Sequence, residues 1–256
     1  MRKIICIANQ KGGVGKTTTA INLSASLATA ERKTLLIDCD SQGNATSGMG
    51  IDRDGIGKRN LYHALIGKVP LQEVIVTTSI PHLDMAPANQ DLIGIEVEFV
   101  SLDDREKKLR GLLNRLDKPY DFIIIDCPPS LGFLTLNALV ASDYVIIPLQ
   151  CEYFALEGLG YLLNTVRLIK GKLNPTLTLG GILLTMFDSR NLLAHRVTED
   201  VRNHFGAKVF KTVIPRNVRL SESPSHGLPI ILYDIKSRGA VSYMELAREI
   251  LTNGRI

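Results

Sequence analysis

The chain has 256 residues, of which 45% are apolar and 22% charged, a composition typical of a globular protein. This composition excludes a disordered or fibrous chain, and the formal net charge of +4 permits a nucleic-acid partner without arguing for one. Because no apolar run approaches the ~20 residues that cross a bilayer, and because the short apolar stretch at the N-terminus is not a secretory signal, we expect a cytoplasmic protein.

Short β-rich runs alternate with longer helical patterns along the chain. Near-continuous apolar runs predict strands at Lys3–Ala8, Thr34–Asp38, Leu83–Ala86, Phe122–Asp126, Tyr144–Pro148, Gly180–Met186 and Val209–Ile214. The segment Lys16–Ala30 has the apolar spacing of a helix. Strands without polar alternation are typical of a sheet buried on both faces, so we predict an α/β fold with a mostly parallel β-sheet and helices on both faces. No linker-like or repeated segment interrupts the pattern, which favours one domain over residues 1–256.

A glycine-rich loop is the strongest functional signal in the sequence. It lies between the first predicted strand and the first predicted helix and reads Lys11-Gly12-Gly13-Val14-Gly15-Lys16-Thr17-Thr18. In this context glycines let backbone N–H groups converge on phosphate oxygens, and the helix N-terminus adds the positive end of its dipole. We expect Lys16 to reach the β- and γ-phosphates of a nucleotide and the Thr17 hydroxyl to bind Mg²⁺.

The loop departs from the usual phosphate-loop pattern at its start. The pattern G-x-x-x-x-G-K-[ST] places glycine at position 10, where this chain has Gln10, and Lys11 precedes two glycines instead. This arrangement resembles the deviant Walker A loop of the ParA/MinD family of P-loop ATPases. The resemblance implies that Lys11 reaches across a dimer interface to the partner's nucleotide, so that assembly supplies a cation for phosphoryl transfer.

Carboxylates follow two of the predicted strands. Asp38 and Asp40 come at the end of one strand, and Asp126 ends the apolar run Phe122–Asp126. In a parallel sheet these strand ends share the edge that carries the phosphate loop, so they are candidates to serve Mg²⁺ and the attacking water. The alternatives are a solvated strand end for Asp38 and Asp40 and a structural cap for Asp126. The resemblance assigns Asp40 to positioning the water, and the apolar strand before Asp126 is the Walker B pattern that contacts Mg²⁺.

The resemblance covers nearly the whole chain and is strongest to the chromosomal ParA branch of the family, also called Soj. It is carried by Asn9–Thr19, Asp40–Gly48, Ile124–Leu131, Gln150–Gly158 and Val213–Pro224. The family resemblance implies a Mg²⁺-dependent ATPase for chromosome partitioning, with ATP as the nucleotide. It also implies an ATP-dependent homodimer and hydrolysis stimulated by a ParB-type centromere-binding protein.

Two further segments are candidate nucleotide contacts. In related ATPases the segment that matches Pro215-Arg216-Asn217 lies beside the adenine, and the Asn217 amide offers a donor and an acceptor to the base edge. The alternative is an ordinary turn after a strand. Glu152 is expected either to contact the partner's ribose or interface, or to be an exposed surface charge.

Basic residues are concentrated in the last third of the chain. Between Met186 and Ala240 there are nine Lys and Arg residues against five Asp and Glu residues. For any single residue the alternative interpretation is a solvated helical face. The resemblance points to Arg190 and Arg219 as contacts to double-stranded DNA, bound without sequence preference and with a strong dependence on salt. The resemblance therefore implies a protein that associates with the nucleoid in the cytoplasm.

The sequence also bears on two alternative functions. A membrane-associated positioning ATPase of the MinD type should end in a basic amphipathic helix. The apolar stripe within Ser242–Leu251 faces a mixed polar side, so we predict a helix that docks on the core, and no membrane partner. A metabolic enzyme on the same scaffold is the other alternative. The nitrogenase iron protein is disfavoured because the four cysteines lack its pattern, and we interpret them as buried thiols.

Overall fold

The computed structural model describes residues 2–152, 155–252 and 256, and for residues 155–157 it describes the backbone only. The described residues form one eight-stranded sheet with the strand order β3-β4-β2-β5-β1-β6-β7-β8. The strands are β1 Lys3–Ile7, β2 Thr34–Asp38, β3 Val76–Thr77, β4 Leu83–Ala86, β5 Phe122–Asp126, β6 Tyr144–Gln150, β7 Thr178–Phe187 and β8 Val209–Pro215. All neighbouring pairs are parallel except β3 with β4.

Helices connect the strands and cover the sheet. The α-helices are α1 Lys16–Thr29, α2 Asn44–Gly48, α3 Leu61–Leu65, α4 Leu71–Val74, α5 Ile95–Glu98, α6 Lys108–Asn114, α7 Phe133–Ala141, α8 Ala155–Lys172, α9 Leu192–Phe205, α10 Val218–Glu222, α11 Ile230–Tyr233 and α12 Arg238–Thr252. Short 3₁₀ turns occupy Gln90–Gly94, Phe99–Ser101, Arg105–Lys107, Gly206–Lys208 and Ser223–His226. None of the helices in the described part of the chain combines the length and apolar character needed to cross a membrane.

The sheet has a separate hydrophobic core on each face. Strand β1 shows why, because Ile4 and Cys6 point into one core while Ile5 and Ile7 point into the other. The first core packs against α6, α7, α8 and α9, and the second packs against α1, α11 and α12. The predicted fold class is therefore confirmed: a mostly parallel sheet is covered by helices on both faces.

The C-terminal helix α12 docks on the core, as its apolar stripe predicts. Tyr243, Leu246, Ala247 and Ile250 are each at most 2% exposed, and the helix packs against β8 and α1. The interpretation of the four cysteines is also confirmed, since all four are buried free thiols. The apolar stripe of α12 is thus buried by packing within the chain.

Each predicted strand is present: β2, β4 and β5 have the predicted ends, and the ends of the other four differ by at most two residues. The prediction missed β3, because two residues on a sheet edge are too few to show a hydrophobic pattern. It also missed the short helices between Asn44 and Asn114, for the same reason of length. The phosphate loop and the ends of β2 and β5 lie together at the carboxyl edge of the sheet, where ligands of such folds bind.

Candidate functional site

The loop between β1 and α1 has the backbone of a phosphate cradle. Gly13 and Gly15 have φ angles of 72° and 88°, in the left-handed region where a side chain would be strained. Gly15 immediately precedes α1, which has no side-chain cap and no acidic residue in its first turn. Among the described residues no side chain caps the first backbone N–H groups of α1, so these groups can bind an anion, and the helix dipole favours one there.

Lys16 lies inside this cradle. Its side chain is only 7% exposed, and its ammonium donates a hydrogen bond to the backbone oxygen of Lys11 at 3.0 Å. Burial lowers the pKa of Lys16, while the nearby carboxyl groups of Asp126 and Asp40 oppose that shift. A buried lysine with carboxyl groups nearby is well placed to bind a further anion that enters the loop.

Lys11 is held within its own chain. Its ammonium lies 2.6 Å from the Oε2 atom of Glu152, and both side chains are about half exposed. Glu152 is positioned in turn by Gln150, whose Nε2 donates to Oε1 at 2.6 Å. The structure thus brings together two residues that the sequence treated separately. Tyr153 and Phe154, in the same segment, lie outside the described residues.

Asp126 is a carboxylate without a hydrogen-bonding partner. Both of its oxygens are buried, and no group in the described residues makes a hydrogen bond of normal geometry to them. Burial raises the pKa of Asp126 well above its usual value, the Asp38 carboxylate beside it raises the pKa further, and the Thr17 hydroxyl lowers it. A buried unpaired carboxylate is costly, so the site is built for a cation.

Asp38 and Asp40 have different roles in the structure. Asp38 lies beside Asp126 across the β2–β5 pair and accepts hydrogen bonds from the N–H and hydroxyl of Thr46, at 2.8 and 2.7 Å. Burial raises the pKa of Asp38 to about 6, although these bonds oppose the shift. Asp40 is 7% exposed, and its carboxylate accepts a hydrogen bond from the N–H of Gln42 at 2.9 Å. Asp38 therefore anchors the loop that carries Asp40.

The donors present suit Mg²⁺ completed by phosphate rather than a metal held by protein alone. Among the described residues, no group of three or more His, Cys, Asp or Glu side chains is arranged to hold a metal ion. Mg²⁺ usually takes one or two carboxylates and fills its remaining positions with water and substrate phosphates. Asp126 and Thr17, next to the phosphate cradle, fit that pattern.

A cavity of about 620 Å³ opens beside the phosphate loop. It is lined by Gly15, Thr18, Thr185, Met186, Ile214, Pro215, Arg216, Asn217, Val218, Leu220, Ser221, Pro224 and Tyr243. The Asn217 amide oxygen already accepts a hydrogen bond from the N–H of Leu220 at 3.2 Å, where it caps α10. One of the two lone pairs of that oxygen is therefore engaged, and the second lone pair and the amide NH₂ of Asn217 remain available to a bound base.

A basic groove of about 810 Å³ adjoins that cavity. Its lining includes Arg190, Arg216, Lys236 and Arg238, with Asp188 as the acidic member. The guanidinium of Arg190 makes two hydrogen bonds to Asp188, at 3.0 and 2.9 Å. The groove is cationic even with this pair, because three basic side chains have no counterpart among its lining residues.

Arg219 lies outside the lining of the groove. Its guanidinium is 3.0 Å from Oε2 of Glu222 and 3.6 Å from Oδ2 of Asp234. Both arginines that the sequence singled out for DNA are therefore paired with acidic residues of the same chain.

Comparison with known proteins places this geometry in a family. A family model described as an AAA domain matches residues 2–179. The chain is 61% identical to the chromosome partitioning protein ParA of Myxococcus xanthus over 249 residues, covering 97% of this chain and 88% of that protein. It is 55% identical to the sporulation initiation inhibitor protein Soj of Bacillus subtilis over 254 residues, covering 99% of this chain and all of that protein. The chain belongs to the ParA/Soj family of chromosome-partitioning ATPases.

A solved structure resembles the fold of this ParA/Soj chain closely. Cobyrinic acid a,c-diamide synthase from Mycobacterium smegmatis, crystallised with ADP and magnesium, superposes with a TM-score of 0.86 and 38% identity. The alignment covers 98% of this chain and 94% of that structure. The overlap shows that a nucleotide and magnesium can be held by a fold of this shape.

Several residues of the candidate site of this ParA/Soj chain were not predicted from the sequence. Thr185, Met186 and Tyr243 line the cavity beside the phosphate loop, and Lys236 and Arg238 line the basic groove. Tyr243 belongs to α12, which had been interpreted only as a packing helix. Lys236 and Arg238 contributed to the basic excess in the sequence, and no motif distinguished them from the other cations. In each case the sequence does not show that segments far apart in the chain lie close together in space.

Proposed function

We propose that the chain is a Mg²⁺-dependent ATPase that hydrolyses ATP to ADP and phosphate. The observation that supports this most directly is Asp126, a buried carboxylate without a partner in the described residues, next to the Thr17 hydroxyl and the Lys16 ammonium. We infer that Thr17 and Asp126 hold Mg²⁺, which neutralises charge on the phosphates when bound. Lys16 and the free N–H groups of α1 bind the β- and γ-phosphates.

The other residues of the site take supporting roles in this proposal. Asp40 orients the water that attacks the γ-phosphorus as the bond to the ADP oxygen breaks. Pro215, Arg216 and the Asn217 NH₂ group border the cavity for the base. Hydrolysis then removes the γ-phosphate contacts, which releases the loops that follow Asp38 and Asp126.

The proposed biological role is ATP-gated partitioning of the chromosome. Two chains close face to face around bound ATP, Lys11 leaves Glu152 to reach the partner's nucleotide, and the dimer binds double-stranded DNA without sequence preference. Arg190 and Arg219 contribute to DNA binding, and doubling the contacts in the dimer raises the avidity. A ParB-type protein stimulates hydrolysis and so releases the dimer, which associates with the nucleoid in the cytoplasm.

The packing of the C-terminal helix supports this proposal over the membrane alternative. The apolar stripe of α12 is buried against α1 and β8, and exposing it to a lipid surface would cost that packing. The same contacts support the proposal that residues 1–256 act as one domain, because the last helix packs on the first.

The test is retention of the protein on DNA with ATP, with ADP and without nucleotide, over a series of salt concentrations. We expect Lys16→Ala to abolish the effect of ATP, because the phosphate cradle loses its charge. Asp40→Ala should retain ATP and prolong binding, because the water is no longer oriented. If Asp40→Ala neither slows turnover nor extends DNA retention, the role assigned to Asp40 is wrong.

A further inference from the structure

A tight turn over residues 40–43 carries Asp40, the residue proposed to orient the attacking water. The turn is closed by a hydrogen bond from the Gly43 N–H to the Asp40 carbonyl at 2.9 Å. Within it the Gln42 N–H donates to the Asp40 carboxylate, also at 2.9 Å. Aspartate at the start of a turn commonly accepts such a bond from the residue two positions later. The direction of the Asp40 carboxylate therefore depends on the conformation of these four residues, which we call the Asp40 turn.

Arg53 binds the Asp40 turn from outside. Its guanidinium donates a hydrogen bond to the carbonyl oxygen of Gln42. That oxygen belongs to the same peptide unit as the Gly43 N–H, which donates to the Asp40 carbonyl. Because a peptide unit is planar, one that is bonded at both its oxygen and its N–H cannot rotate without losing these bonds. Arg53 therefore opposes the rotation of the peptide unit that would open the turn.

The aliphatic part of Arg53 packs against the same turn. Gly43 has a φ angle of 59°, and a Cβ atom at this position would lie 2.6 Å from Cδ of Arg53 and 2.8 Å from the carbonyl oxygen of Ala88. The backbone of Gly43 is thus enclosed between Arg53 and Ala88, at a distance that only glycine permits. The contact adds packing to the hydrogen bond at the Gln42 carbonyl.

The loop that carries Arg53 is attached to the protein at both ends. It runs from α2 to α3. At its start the Ile51 N–H donates to the Thr46 carbonyl at 3.1 Å. At its end the side chain of Asn60 is fully buried and donates to the Asp91 carboxylate at 2.8 Å. These attachments restrict the positions that Arg53 can take, although its own side chain is exposed.

Arg53 also borders the candidate nucleotide site. A cavity of about 460 Å³ has Arg53, Thr17 and Asn44 in its lining, and Arg53 alone is charged among the described residues that line it. A cation in this place can act in two ways, by contact with the phosphates or through the Asp40 turn. The hydrogen bond to Gln42 and the packing on Gly43 favour the second, because a guanidinium that moved to the phosphates would lose both.

We propose that Arg53 is a positioning residue for ATP hydrolysis, which holds the Asp40 turn in the conformation that orients the attacking water. This inference rests on the proposed ATPase function and on the role assigned there to Asp40. In this role Arg53 contacts the turn and not the nucleotide, so it affects the hydrolytic step and not the affinity for ATP. Without Arg53 the peptide unit between Gln42 and Gly43 rotates more freely, and a smaller fraction of chains has a correctly directed Asp40.

Single-turnover hydrolysis and equilibrium binding of a fluorescent ATP analogue, both with Mg²⁺ and the full-length protein, separate these two steps. Arg53→Met keeps an aliphatic side chain next to Gly43 and removes the donor. We expect its hydrolysis rate constant to fall about two- to tenfold, the loss expected for one hydrogen bond, with the affinity unchanged. Arg53→Lys keeps a cationic donor and should recover part of the rate. Arg59→Met, at another exposed arginine of the same loop, is the matched control and should behave as wild type.

A double variant tests whether Arg53 acts through Asp40. In Asp40→Ala there is no carboxylate to direct, so the addition of Arg53→Met should leave the residual hydrolysis rate unchanged. A further fall in that rate, with weaker ATP binding by Arg53→Met alone, would mean that Arg53 contacts the phosphates. That result would overturn the positioning role.

Amide hydrogen exchange without nucleotide tests the contact independently of hydrolysis. We expect the Gln42 and Gly43 amides to exchange about two- to tenfold faster in Arg53→Met than in wild type or Arg59→Met. Equal exchange in all three proteins would overturn the inference, and so would faster exchange with an unchanged hydrolysis rate. If wild type hydrolyses no ATP, the proposed function fails, whereas the exchange rates still decide whether Arg53 holds the Asp40 turn.

Discussion

The ammonium of Lys11 lies 2.6 Å from the carboxylate of Glu152 in the same chain, and the Lys16 ammonium donates to the backbone oxygen of Lys11 at 3.0 Å. The two lysines of the phosphate loop are therefore restrained together. Under the proposed mechanism Lys11 must leave Glu152 before it can reach a partner's nucleotide. Under the same proposal this intrachain ion pair favours the monomer.

Replacement of Glu152 by glutamine should favour the dimer. Exposed ion pairs contribute about 0.2–1 kcal/mol each, and each of the two chains must break one, so releasing Lys11 should lower the protein concentration needed for half-maximal dimerisation by about two- to thirtyfold. Sedimentation with a slowly hydrolysed ATP analogue measures this midpoint. Glu245→Gln, an exposed glutamate on α12, serves as the control. Weaker dimerisation in Glu152→Gln would show instead that Glu152 contacts the partner chain, the other role considered from the sequence.

Asparagine at position 126 should change how stability depends on pH. Burial raises the pKa of Asp126, so the folded chain holds this proton more tightly than the unfolded chain does. The protonated Asp126 contributes fully to stability at a pH below the pKa that the residue has in the unfolded chain. This contribution is lost as the pH rises through the pKa that it has in the folded chain. In metal-free wild type this loss is shared with Asp38, whose pKa moves from 3.8 to about 6, a shift that corresponds to about 3 kcal/mol.

Urea unfolding in EDTA at pH 4 to 7 tests this expectation. We expect Asp126→Asn to be more stable than wild type near neutral pH, with a smaller fall in the free energy of unfolding as the pH rises. Stabilisation by Mg²⁺ and ATP should be lost in the same variant, because the metal requires the ionised carboxylate. Asp117→Asn, at an exposed position, should follow wild type in both respects. If the free energy of unfolding of Asp126→Asn depended on pH as that of wild type does, burial of the ionised Asp126 would not destabilise the metal-free chain.

The sequence predicts the parts of the fold that are encoded by continuous segments. The strands around the loop are apolar along their whole length, and the glycines of Lys11–Thr18 specify a backbone that few other sequences adopt. The spatial partners of those segments are not encoded locally. The approach of Glu152 to Lys11 joins residues 141 positions apart, and an exposed ion pair leaves no pattern in the sequence.

The roles of Asp38 and Asp40 illustrate the same limit. Both lie at the end of one strand, so their positions in the sequence do not distinguish which of them binds Mg²⁺ and which positions the attacking water. The structure separates them because Thr46, eight residues later, folds back to bind Asp38 with its N–H and hydroxyl. That turn depends on the left-handed backbone of Gly43 (φ 59°) within a short helical region that has too few residues to be predicted.

Removal of the Tyr243 hydroxyl should destabilise the chain. This hydroxyl lies 3.1 Å from the Thr19 hydroxyl, and both residues are buried between α12 and α1. Tyr243→Phe leaves the Thr19 hydroxyl without its partner, so we expect a loss of about 1–2 kcal/mol in the free energy of unfolding. Urea unfolding measures the loss, and Tyr161→Phe, at a side chain 62% exposed, is the control. Equal stability of Tyr243→Phe and wild type would indicate that the Thr19 hydroxyl finds another hydrogen-bonding partner.

Substitutions in the basic groove should reveal its contact with DNA through the salt dependence of binding. Each lysine or arginine that neutralises a phosphate contributes about 0.9 to the slope of log affinity against log salt. In a dimer a single substitution removes two such contacts, so Arg190→Ala, Lys236→Ala and Arg238→Ala should each reduce the slope by up to ~2. Arg190 must also leave Asp188, with which it makes two hydrogen bonds. Its contribution to affinity should therefore be smaller than that of Lys236 or Arg238, because DNA must displace an existing partner.

Binding to a fluorescent DNA duplex at several KCl concentrations, with the ATP-bound dimer, measures these slopes. Lys170→Ala, an exposed lysine at the end of α8, is the control and should leave the slope unchanged. Asp188→Asn provides the complementary test, since it frees Arg190 in both chains of the dimer and should strengthen binding about two- to thirtyfold, as expected for two exposed pairs. A slope that is equal in wild type and in all three alanine variants would place the DNA away from this groove. In that case Arg219, outside the groove and paired with Glu222 and Asp234, would become the position to test.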